Sequence, residues 1–63
     1  MNDDIVINVE LPNAMAWALA EFLKRAGVGD YRALAASERE ACDMQEAGEK
    51  VRTALAEKGV APR

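Results

Sequence analysis

Residues 5–27, "IVINVELPNAMAWALAEFLKRAG", change their hydrophobic period across a single proline, Pro12. Before it, Ile5, Ile7, Val9 and Leu11 alternate with Asp4, Val6, Asn8 and Glu10, the period-two pattern of a half-buried strand. Beyond it, Met15, Leu19, Phe22 and Ala26 recur at helical spacing, with Ala16 and Leu23 widening the stripe. Proline suits the first helical turn and Asn13 is a favoured N-cap, so a helix is expected from here to Gly27, with Lys24 and Arg25 favouring the dipole in its last turn. One strand cannot satisfy its own backbone, and no other segment reads clearly as a strand. The expected fold class is therefore α+β, one N-terminal strand followed by two or three helices. The strand is expected to pair antiparallel with its counterpart in a homodimer, making Ile5, Ile7, Val9 and Leu11 the dimer strand residues. Addition to the sheet edge of a partner protein is the alternative.

Downstream, "VGDYRALAA" predicts a short helix with Asp30 as N-cap and Tyr31 and Leu34 as packing contacts. Ser37 and Glu40 have capping-box spacing, so a new helix starts there unless one continuous helix runs through Ser37. The long element runs to about Lys58, with Ala41, Met44, Gly48, Val51 and Leu55 forming a narrow seam. A glycine in that seam costs about 1 kcal/mol of helix propensity relative to alanine, which signals close approach of another group, Trp17 or Phe22 being the candidates. On the outer face, Glu46 with Lys50 and Arg39 with Asp43 stand four residues apart, the spacing of helical ion pairs. Gly59 is expected just past the helix end, before the tail "VAPR". No linker or repeat interrupts residues 1–63, which read as a single small domain.

A 63-residue chain is small enough to need support beyond its own core. Half of its residues are apolar, but many are alanines that bring little buried area. The single cysteine, Cys42, excludes an internal disulfide, and without histidine a metal site is not expected. Self-association or a partner is left as the support. No run approaches a membrane span, and "MNDD" lacks the basic start of a signal peptide, so a cytoplasmic protein with a reduced Cys42 is expected.

The net charge of −3 sits in the first half: five acids against two bases through residue 30, then six of each sign. No basic side chain occurs in the first ten residues, so their surface repels phosphate and attracts basic partners. Catalysis is not expected, since there is no histidine, glycine-rich phosphate loop, or nucleophile with a visible base, and no cofactor is implied. Glu38, Glu40, Asp43, Glu46 and Glu49 are interleaved with bases and read as a solvated helix face. Cys42 reads as a small buried or half-buried hydrophobe. The partner-binding candidates are Asp3, Asp4, Asn8 and Glu10, and also Trp17, which lies on the far side of its helix from Leu19 and Ala26 and needs cover from the fold, a second copy or a partner.

Within residues 5–28, "INVELPNAMAWALAEFLKRAGV" resembles the opening of ribbon-helix-helix repressors and antitoxins, with their alternating strand, Leu-Pro helix start and glycine-ended helix. The resemblance implies an intertwined dimer whose ribbon enters the DNA major groove. This chain departs from the pattern at the reading positions, where Asp4, Val6, Asn8 and Glu10 replace the usual Arg, Lys, Thr or Asn. Nucleic-acid binding is therefore disfavoured. Over the whole chain, "AWALAEFLKR", "EACDMQEAGEKV" and "ALAEKGVAPR" are similar to an uncharacterised family of small bacterial, phage or plasmid proteins. That resemblance adds Arg63, a tail cation able to stack on Trp17, to the partner-binding candidates. It implies a mobile-element context without a chemistry; by analogy with small acidic phage proteins such as anti-CRISPR inhibitors, a non-enzymatic protein that acts by stoichiometric binding to a protein partner is expected. The alternative is a dimeric ribbon-helix-helix regulator or antitoxin that binds DNA.

Overall fold

Pro12, with φ −55° and ψ 149°, holds an extended backbone ahead of α1, Asn13–Arg25, and its carbonyl accepts the Ala16 N–H at 3.0 Å. Proline, not Asn13, therefore takes the cap position. The computed structural model describes residues 3–63, which contain two further helices, α2 at Val28–Leu34 and α3 at Glu38–Glu57. Among the described residues there is no strand, so the α+β expectation is corrected to an all-helical fold. Ile5, Ile7, Val9 and Leu11 belong to an N-terminal arm without regular structure. The alternation there is genuine, but a strand needs a neighbouring backbone, and the helices offer none.

Each helix end is fixed by local chemistry. The Asp30 carboxylate accepts the Gly27 N–H at 2.8 Å, reaching back to the start of α2 from inside its first turn, so Asp30 is not the N-cap. The Ser37 hydroxyl accepts the Glu40 N–H at 3.1 Å, and the Glu40 carboxylate accepts the Ala36 N–H at 3.0 Å. These reciprocal bonds start α3 as a separate helix. At its far end Gly59 has φ 87°, with the Gly59 N–H on the Ala56 carbonyl and the Val60 N–H on the Leu55 carbonyl, each at 2.9 Å. This is a Schellman ending, and the left-handed residue it needs is most easily glycine.

Both α1 and α2 pack on α3 and not on one another. Their meeting point is Gly48. A methyl group built there would stand 2.7 Å from the Tyr31 hydroxyl oxygen and 3.4 Å from Leu23 Cδ2. The expected close approach is present, but Tyr31 and Leu23 make it, not Trp17 or Phe22. Among the described residues the buried apolar side chains are few and none is large: Ala20, Leu23 and Ala41. The predicted outer-face pairs Glu46–Lys50 and Arg39–Asp43 are not formed, whereas Glu21–Arg25, Arg32–Glu38 and Glu49–Arg52 are among the ion pairs of the described residues. Arg32–Glu38, at 3.0 Å, ties α2 to the first turn of α3.

The Gly48 contact generates a double-mutant prediction. Gly48→Ala is expected to destabilise by roughly 1 kcal/mol, because the clash with the rigid phenol tip outweighs the gain in helix propensity. On a Tyr31→Phe background, which removes the clashing oxygen, the same change is expected to be neutral or stabilising by up to about 1 kcal/mol. Urea unfolding of the four proteins checks the sign reversal.

Candidate functional site

The surface is unusual in where its large apolar side chains lie. α1 carries an apolar stripe wide enough for two neighbours, yet only α3 packs on it. One edge, with Ala20 and Leu23, is buried, while Met15 and Phe22 at the other edge stay open, Phe22 at 59% exposure. Leu34 ends a seven-residue helix too short to bury both it and Tyr31, and is 80% exposed. The arm adds Ile5, Val6, Ile7 and Val9, of which Ile5 and Val6 are each 88% exposed.

Between α1 and α2 these positions make an open cleft of about 950 Å³, walled by Ala18, Phe22 and Ala26 on one side and Tyr31 and Leu34 on the other, with Met44 contributed by α3. Its charged groups are already engaged. Glu21 pairs with Arg25 at 3.0 Å, and the Asp30 carboxylate holds the Gly27 N–H. The cleft therefore presents an apolar surface, suited to apolar side chains of another segment and not to an anion or cation. The sequence pattern puts Phe22 on the apolar stripe of its helix and Leu34 among the packing contacts of α2, yet both are exposed. The signal that could have placed them outside is the shortness of α2 and the single neighbour available to α1.

The other candidates scatter. Asp3, Asp4, Asn8 and Glu10 are all exposed on the arm. Trp17 is 38% exposed, so a single chain already covers more than half of it. Arg63 is exposed at the end of the tail, and no ring contact joins it to Trp17 among the described residues. Cys42 is exposed, which corrects the expectation of a buried or half-buried thiol. It lies one position past buried Ala41, and on a helix that step rotates the side chain about 100°, out of the seam. No group of histidine, cysteine and carboxylate side chains among the described residues is arranged to hold a metal. No helix there is long and apolar enough to cross a membrane. A second depression, formed by Gln45, Glu46, Glu49, Lys50 and Thr53, lies on the outer face of α3 alone and converges on no chemistry.

A family model described as a family of unknown function, DUF7706, matches residues 1–63, and the chain belongs to that family. No curated protein and no solved structure matches the chain. Membership agrees with the similarity to an uncharacterised family and assigns no chemistry.

The exposure of Cys42 yields a direct check. One thiol per chain is expected to react with a water-soluble disulfide reagent in the native protein at the rate of the urea-unfolded chain, within about threefold. Protection by a factor of a hundred or more in the native state would place it inside a packed surface.

Proposed function

We propose that this chain is a non-enzymatic interaction protein that self-associates and binds a protein partner stoichiometrically through the acidic face of its arm. The observation that carries the proposal is the distribution of apolar bulk: the core holds two alanines and a leucine, while Ile5, Val6, Ile7, Val9, Phe22 and Leu34 lie open. Apolar side chains of this size left open in such number mark contact with other chains. Asp3, Asp4 and Glu10 add a charge signal, since an arm with three carboxylates and no cation among residues 1–10 favours a basic protein surface. The finer part of the proposal is a cytoplasmic inhibitor carried by a phage or plasmid. Small size, acidity and a reduced lone thiol support it.

DNA binding of the ribbon-helix-helix kind gains no support. Its reading ribbon would have to come from the arm, where carboxylates face the phosphate backbone.

Immobilised protein is expected to retain, from its host's lysate, a protein with a basic binding surface at one-to-one stoichiometry. Asp4→Lys combined with Glu10→Lys is expected to abolish retention while the far-ultraviolet circular dichroism spectrum is unchanged. Unaltered retention by that variant would discard the acidic face. Sequence-selective duplex DNA binding that weakens steeply with salt would overturn the protein-interaction function.

A further inference from the structure

Two apolar features are uncovered in the single chain, the arm and the α1–α2 cleft, and we propose that each covers the other across two copies. Ile5, Ile7 and Val9 of one copy seat in the cleft of the second, and the exchange is reciprocal. This inference rests on the proposed self-association and names the surface that performs it.

The first argument is one of area. The chain exposes 5402 Å², whereas a compact monomer of 6.8 kDa exposes about 4,000 Å². Its radius of gyration is 12.8 Å, against about 11 Å for a compact domain of this length. If docking recovers the excess, two copies bury on the order of 2,800 Å², within the range of obligate homodimers. A hetero-partner could cover the same area. The second copy is favoured because three small or medium buried side chains make a thin core for a fold of this size, and among the described residues no metal cluster is present. With one cysteine in the sequence, no internal disulfide can supply the deficit.

The second argument is fit. In an extended arm, Ile5, Ile7 and Val9 share one side and span about 13 Å. The cleft-facing stretch from Ala18 in α1 to Ala26, its C-cap, is about 12 Å long. With Ile5, Ile7 and Val9 turned in, Asp4, Val6, Asn8 and Glu10 turn out, so neither Asp4 nor Glu10 is buried. The acidic face stays on the outer side of the docked arm, and the ion-paired Glu21 and Arg25 need not be separated. The arm keeps one backbone edge in water across an open cleft, so the docking needs no strand pairing.

The third argument is direction. To reach its own cleft the arm would have to double back along α1, reversing at Leu11 and Pro12. Pro12 stands at φ −55° and ψ 149°, and a residue preceding proline is held to extended backbone. In the single chain the arm leaves its own cleft open, with Ile5 and Ile7 exposed.

Complementation by mixed variants tests the exchange. Sedimentation equilibrium is expected to give a dimer for the wild-type chain at micromolar concentration. Ile7→Asp, which spoils the arm, and Leu34→Asp, which spoils the cleft, are each expected to raise the dimer dissociation constant by roughly 100-fold or more. Mixing the two variants leaves one sound arm facing one sound cleft, so the mixture is expected to recover dimer that neither forms alone. If a lone variant loses helicity, recovery of helical circular dichroism on mixing reports the same event. A wild-type dimer unaffected by both substitutions would overturn the exchange while leaving self-association standing. A mixture that recovers neither mass nor helicity would also overturn the exchange. A wild-type monomer, cooperatively folded at micromolar concentration, would overturn both the exchange and the self-association beneath it.

Discussion

The missing side chain at position 48 sets the distances on which the fold depends. α3 can meet both α1 and α2 at one point because nothing projects there, leaving room for the Tyr31 ring and the Leu23 side chain. The glycine costs about 1 kcal/mol of helix propensity, which packing from two helices must offset. Closeness at that point has a second effect. With both short helices committed to α3, neither is left to cover the other, and the cleft between them follows from the same contact that holds them.

Caps do much of the remaining work of definition. Ser37 and Glu40 start α3, Asp30 secures the first turn of α2, and Gly59 ends α3 with both carbonyl bonds of a Schellman motif. Each is worth about 1 kcal/mol, which matters more in a small chain than in one with a large core. The local instructions are thus strong while the long-range ones are few. Such a chain forms its helices readily, while few long-range contacts fix their arrangement.

The helical part of this architecture was legible in the sequence because its signals are local. Ser37, Glu40, Gly59 and the 3,4 spacing from Ala41 to Leu55 identify α3, and the glycine inside that spacing identifies the close contact. What was not legible was non-local. Alternation from Ile5 to Leu11 implies a side covered by something, but no local rule says whether the cover is a strand, a helix face or another chain. Phe22 belonged to a stripe that is correct for an amphipathic helix, yet the number of neighbours that helix receives is a tertiary fact. Cys42 differs, because its exposure was legible: one position past the seam residue Ala41, a helix turns its side chain about 100° out of the seam.

The central claim is that the apolar surface a single chain leaves open is completed by a second chain. The concentration dependence of the thermal unfolding midpoint, followed by helical circular dichroism, tests it most directly. If unfolding is coupled to dissociation, the midpoint rises steadily with protein concentration across the micromolar range and the transition fits a folded dimer in equilibrium with unfolded chains. A cooperative transition whose midpoint is the same at every concentration would contradict the account, because the chain would then be stable without the cover it is argued to need.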